Sequence, residues 1–234
     1  MSPMTDTQPY GTPDQPRLAV HGEAHLEVDP EIARITITIA TRGPDRRATL
    51  DDLTRRNTHT IDLIKSYGDE IEKLETGAFT LTPELTKHGR GERVRTYHGT
   101  VHITVELTDF TALGELATRL ADLELTRVDG PWWSLRHDSP AHSAVRRQAV
   151  QQAVVRAREY ADALGTTLAA LVELSDPGAD TPTTGYGHPA GGGMAFRAAA
   201  PGTAEPAPAL DLEPQRQSVH ARVNARFIMT PPNL

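Results

Sequence analysis

A chain of 234 residues is long enough for one domain, or at most two. Its formal charge of −7 argues against a general nucleic-acid binder, and the absence of cysteine removes disulfides, thiol catalysis and Cys-ligated zinc. Hydrophobic residues make up 38% of the chain but aromatics only 5%, so the core should be aliphatic.

Residues 1–16, MSPMTDTQPYGTPDQP, are polar and proline-rich. They read as a disordered tail without a secretion signal, and the cytoplasm is the expected location. No run reaches the roughly 18 apolar residues of a membrane span. From Leu18 to Val28, apolar and polar residues alternate with period two, the mark of a half-buried strand. After the turn Asp29-Pro30-Glu31, a second strand points Ala33, Ile35, Ile37 and Ile39 inward and Arg34, Thr36 and Thr38 outward. Gly43-Pro44-Asp45 ends it. A helix then runs to about Tyr67, with Leu50, Leu53, Asn57, Ile61 and Ile64 on one face and Gly68 as its stop.

Alternation resumes over 71–87, with Phe79, Leu81, Pro83 and Leu85 on one side. Proline cannot donate to a ladder, so this strand is expected at an edge or a bulge. Residues 88–92 read as a hairpin loop. Tyr97, Val101, Ile103, Val105 and Leu107 then alternate with His98, Thr100, His102, Thr104 and Glu106. Asp109 caps a helix with Leu113, Leu116, Ala117, Leu120 and Leu123 at i, i+3, i+4 and i+7 spacing. A short strand through Val128 and Trp132 follows.

The stretch 139–165 organises the remainder. Ser139-Pro140 is a helix start and Gly165 a helix stop. Val145, Ala149, Ala153, Ala157 and Ala161 step by four into a narrow column, widened by Val150, Val154, Tyr160 and Leu164. Such a column predicts a helix lying flat on a sheet or on a second helix. Leu168, Ala170, Val172 and Leu174 form a further strand. Residues 176–210, rich in Gly, Pro and Ala, read as a flexible arm. A last strand alternates Val219, Ala221, Val223, Ala225, Phe227 and Met229 against His220, Arg222, Asn224 and Arg226. Its expected partners are the strand before the arm and the first strand of the chain.

The order ββαββαβαββ contains a β-α-β-β-α-β series between Arg34 and Leu135, the split βαβ order. The expected fold is α+β: two layers, a mainly antiparallel sheet with helices packed on one face, in a domain over 17–230.

Ten histidines invite a metal hypothesis. His21 with His25, and His98 with His102, have the H-x3-H spacing that chelates on a helix. On strands a four-residue step is about 13 Å, beyond one ion's reach. A site across strands would need His21, His98 or His220 side by side on the polar face. There is no G-x-S-x-G, no H-E-x-x-H and no P-loop lysine motif. Asp51-Asp52 and Asp69-Glu70 read as solvated charges, and Gly191-Gly192-Gly193 lacks the strand and helix that phosphate binding needs. Of Trp132 and Trp133, at least one belongs to the core. No catalytic, cofactor-binding or metal-ligating residue is assigned, and no cofactor is implied.

Several segments resemble the SIMPL family, also known as domain of unknown function 541. They are Val20-His21-Gly22-Glu23-Ala24, Asp29-Pro30-Glu31, and Leu74 to Leu85 with Thr76, Phe79, Leu81 and Pro83. Tyr97 with Val101-His102-Ile103-Thr104-Val105 and Asp109, the alanine-rich helix, and the closing strand from Pro214 to Phe227 complete the series. The resemblance implies links to stress defence, surface antigens and signalling adaptors, with no established catalytic residues. The expectation is a bacterial, non-enzymatic protein acting by self-assembly or protein–protein interaction. Its partner would be a second copy or another protein, not nucleic acid. A small-ligand or metal binder using the His-rich sheet face, and an uncharacterised enzyme, are the alternatives.

Overall fold

The computed structural model describes residues 11–85, 94–177 and 210–233. The expected hairpin loop 88–92, the glycines 191–193, most of the 176–210 arm and the first ten residues of the tail lie outside the described residues.

Strands β1 (Arg17–Val28) and β2 (Ile32–Gly43) lead into helix α1 (Arg46–Lys65) and a 3-10 turn at Gly68–Glu70. Strands β3 (Ile71–Leu85) and β4 (Val94–Leu107), helix α2 (Phe110–Ala121) and strand β5 (Thr126–Ser134) follow. Helix α3 (Pro140–Ala163) and strands β6 (Leu168–Ser175) and β7 (Gln217–Met229) complete the expected order. The fold is α+β, with antiparallel strands and helices on one face. One difference stands out. The strands form two sheets, ordered β3-β4-β2-β5 and β1-β7-β6, where one had been expected. The chain accordingly has two compact units, one carrying β1, α3, β6 and β7, the other β2 to β5 with α1, α2 and 210–217. Helix bulk gives a physical reason. Leucine-faced helices hold a sheet at ordinary packing distance, whereas an alanine-faced helix needs strands that approach more closely.

In the larger unit, the split βαβ series produces a sheet in which β2 pairs with both β4 and β5, and β3 pairs with β4, all antiparallel. The inward rows are those expected: Ala33, Ile35, Ile37 and Ile39 on β2, and Val101, Ile103, Val105 and Leu107 on β4. Against them pack Leu53 and Ile64 of α1 and Leu113, Leu116 and Leu120 of α2. Asp45 caps α1 by accepting from Ala48 N at 2.8 Å, and Asp109 caps α2 by accepting from Thr111 N at 2.8 Å. The buried face of α1 departs from expectation. Leu50 is exposed, while Thr49 and Thr60 are buried. Thr49 buries its methyl because its hydroxyl donates to the Asp45 carbonyl at 2.7 Å. β3 lies at a sheet edge, and its pairing shifts register between Thr76 and Phe79, in keeping with Pro83.

In the smaller unit, β7 sits between β1 and β6, the two partners its alternation predicts. Helix α3 begins at Ser139, whose side chain accepts from Ala141 N at 3.3 Å. It ends at Gly165, whose φ of +63° is a left-handed conformation that a Cβ would disfavour. Val145, Ala149, Ala153, Ala157 and Ala161 are all buried, as the column predicts. The closest approach is at Gly22 on β1. A Cβ built there would stand 2.0 Å from the Ala149 carbonyl oxygen and 2.6 Å from Ala153 N. Val150 and Val154 pack against the same cluster, but Tyr160 and Leu164 are exposed, so the apolar face is narrower than expected. With side chains this small, the helix rests so low on β1 that flanking residues have nothing to reach.

Candidate functional site

Both sheets present a polar face opposite their helices, and the two faces differ in how their groups are paired. On the larger sheet, Arg34 donates to Glu106 Oε1 from Nε at 2.9 Å and from Nη2 at 2.6 Å. Thr38 Oγ1 lies 2.9 Å from His102 Nδ1, and Thr80 and Thr100 hydroxyls are 2.6 Å apart. Glu84 Oε2 receives three groups: Arg42 Nη2 at 2.6 Å, Thr96 Oγ1 at 2.8 Å and His98 Nε2 at 3.0 Å. The Thr96 hydroxyl, then His98 and Arg42, hold the Glu84 carboxyl down at about 2. A carboxylate kept that acidic is a fixed anion at neutral pH and a poor proton donor or acceptor. Asp52 of the Asp51-Asp52 pair is likewise held below its ordinary value, chiefly by the hydrogen bond from Arg56 Nε at 3.0 Å.

On the smaller sheet, β1 and β7 bring His25 and His220 together. Their ring centroids are 4.4 Å apart and their Nδ1 atoms 3.2 Å. Ser218 Oγ lies 3.2 Å from His25 Nδ1 and 2.8 Å from His220 Nε2. Glu27 Oε1 stands 3.7 Å from His25 Nε2, and Arg222 Nε 3.4 Å from Glu23 Oε2. A shallow depression is lined by Glu23, Ala24, His25, His220, Ala221 and Arg222.

Of the cross-strand candidates His21, His98 and His220, only His220 meets another histidine among the described residues, and that partner is His25. The β1–β7 register decides this: Met229 N donates to the Pro16 carbonyl at 2.9 Å, which sets residues 25 and 220 opposite each other. His98 sits on the other sheet against Glu84. Among the described residues, no group of three or more His, Asp or Glu is placed to hold a metal ion. Trp133 packs edge-on against Phe110 at 4.7 Å beside the core, and Trp132 is 51% exposed. No helix among the described residues is long and apolar enough to cross a membrane.

A third feature escaped the sequence reading. β6 is a sheet edge, and Leu171, Val172 and Leu174 on it are 53%, 44% and 46% exposed. Simple alternation placed Ala170, Val172 and Leu174 on one side. Register shifts between Leu168 and Ala170 and between Leu171 and Glu173 instead set Leu171 opposite Phe227 and Leu174 opposite Ala225. These leucines therefore share the face that α3 covers over Ala225 and Phe227, but no other described residue covers them. A groove lined by Val154, Arg158, Ala161, Leu168, Leu171 and Phe227 runs between them and the helix. The signal in the sequence was the apolar run Leu168-Ala169-Ala170-Leu171-Val172, with Glu173 as its nearest charge.

Two Brucella proteins, each named 26 kDa periplasmic immunogenic protein, are similar to this chain. One is from Brucella melitensis and one from Brucella abortus. Each is 25% identical over 167 residues, covering 68% of this chain. The chain spans 66% of the length of these relatives. The family described as SIMPL, protein of unknown function (DUF541), matches residues 18–227 and so takes in every strand and helix from β1 into β7. With the match running through both sheets and all but the ends of the chain, the protein belongs to the SIMPL family.

Proposed function

We propose that the protein works without a reaction of its own, by pairing with a second copy of itself along β6. The observation that carries this reading is the β6 edge, which among the described residues pairs with β7 alone and exposes Leu171, Val172 and Leu174. An edge strand offers N–H and C=O groups that a neighbouring strand completes, and natural edges usually carry charges or proline to prevent it. β3 is blunted in that way by Pro83, while β6 has only Glu173, which Arg226 engages at 2.5 Å. A copy related by a two-fold axis is self-complementary with this edge. Antiparallel pairing can set Leu171 of one copy opposite Leu174 of the other, removing both from water. The paired polar groups on the larger sheet also favour a structural role over catalysis.

Light scattering over a dilution series tests the proposal. The unaltered protein should be larger than a monomer, and the double variant Leu171→Lys, Leu174→Lys should be monomeric with an unchanged thermal transition. A strict monomer that turned over a substrate in a screen would replace this reading with the enzyme. The stress-related role implied by the family resemblance belongs to the same proposal, and survival of a deletion strain under oxidant or heat tests it. So does the expected cytoplasmic location. The relatives' name places those proteins in the periplasm, and fractionation of cells distinguishes the two compartments.

A further inference from the structure

We propose that His25 and His220 form a two-imidazole chelate for a divalent transition metal on the open face of the β1-β7-β6 sheet. The geometry starts with the bite. A zinc–imidazole bond is about 2.0–2.1 Å, so two nitrogens on one tetrahedral ion stand about 3.3–3.4 Å apart. The Nδ1 atoms of His25 and His220 are 3.2 Å apart, close to that separation before any side chain moves. They come from adjacent strands of one sheet, so backbone pairing, not side-chain chance, sets their spacing.

The outer nitrogens point the same way. Glu27 Oε1 lies 3.7 Å from His25 Nε2, and Ser218 Oγ lies 2.8 Å from His220 Nε2. Glu27 can take the His25 ring N–H on the far side of that imidazole, as carboxylates do around metal-bound histidines. The ring centroids are 4.4 Å apart and the rings tilt by 36°, so a turn about the side-chain bonds brings both Nδ1 lone pairs onto one ion. Imidazole binds a metal only through an unprotonated nitrogen, so binding weakens as pH falls. Ser218 Oγ, 3.2 Å from His25 Nδ1, borders the gap between the rings.

Two imidazoles with water in the remaining positions suit copper(II), nickel(II) or zinc(II), and the usual order of affinities puts copper(II) first. The site is open to solvent, so exchange with other metal carriers is unobstructed. The inference is independent of strand pairing along β6, because the histidines lie on the opposite face of the sheet from Leu171 and Leu174.

The test is calorimetric titration of the full chain with copper(II) and with zinc(II) at pH 7.5 and at pH 5.5, alongside His25→Asn, His220→Asn and the control His98→Asn. Thermal unfolding of each variant verifies that it folds. The expected result is one ion per chain, weakened at pH 5.5. Each of the two site variants should lose at least about tenfold in affinity, the lower end of what even an outer-shell partner is worth to a metal site. The control should not change. Electron paramagnetic resonance of the copper form should show two imidazole nitrogens. No binding, binding that survives both site variants, or loss in only one of them would overturn the chelate.

Discussion

The two sheets solve one problem with opposite materials. In the larger unit, a helix layer meets strands through bulk: Ile35, Ile37 and Ile39 interlock with Leu53, Leu113, Leu116 and Leu120, all essentially inaccessible. In the smaller, α3 meets its sheet through the near absence of side chains, with Ala149 and Ala153 lying over Gly22 and Ala157 buried in the same cluster. A bulky interface gains from apolar area and is harmed by shrinkage; a small-residue interface gains from close atomic contact and is harmed by growth. The lesson is that the same two-layer plan has opposite tolerances in its two halves.

Removing a whole strand should separate the halves most sharply. Deleting Ser218–Leu234 takes away most of the strand between β1 and β6, leaving both without their partner. We expect α3 and the smaller sheet to lose protection from hydrogen exchange while β2 and β4 retain theirs. Uniform loss across the chain would show that the two halves unfold as one. Next in size is shrinkage of the bulky interface. Leu116→Ala should cost about 2–5 kcal/mol, read from the denaturation midpoint. Growth in the small-residue interface comes third: Ala153→Leu should cost about 1–3 kcal/mol. The contrast would fail if Leu116→Ala were neutral, or if Ala153→Leu left the midpoint unchanged.

The smallest effect concerns the polar face of the larger sheet. Glu84 has its carboxyl depressed from 4.5 to about 2 by Thr96, His98 and Arg42. Between those values the unfolded chain binds the proton and the folded chain does not, so stability rises with pH. The contribution is therefore complete above pH 4.5 and disappears as pH falls through about 2. Glu84→Gln should lose less stability than the parent over that interval. Parallel pH curves for the two proteins would mean the three hydrogen bonds do not hold the carboxylate in solution.

Much of this arrangement was legible in local pattern. Strict alternation identified the inward rows of β2, β4 and β7, and the four-residue step of alanines identified the buried face of α3. Pro83 marked β3 as an edge. Four things were not legible, each for a physical reason. The face of α1 turned on whether Thr49 could satisfy its hydroxyl within the helix, a bond that releases its methyl for burial. The facing of β6 depended on bulges that reset its alternation relative to β7. The pairing of β1 with β7 was expected, but the meeting of His25 with His220 depended on its register, which no local window contains. The division into two sheets has the same origin, since it depends on which strands a close-lying helix will accept.

The position of β7 also has a consequence for synthesis. Strands β2 to β5 leave the ribosome one after another, so the larger sheet can close as soon as β5 emerges. β1 is made first yet pairs with a strand translated last, and until then its apolar row, and the alanine column of α3, have no complete sheet to rest on. Nascent chains fold domain by domain, with early parts exposed while they wait. A force-sensitive arrest sequence placed at successive lengths should register an early event after β5 and a later one after β7. Between those two points the unfinished chain is a natural client for holding chaperones.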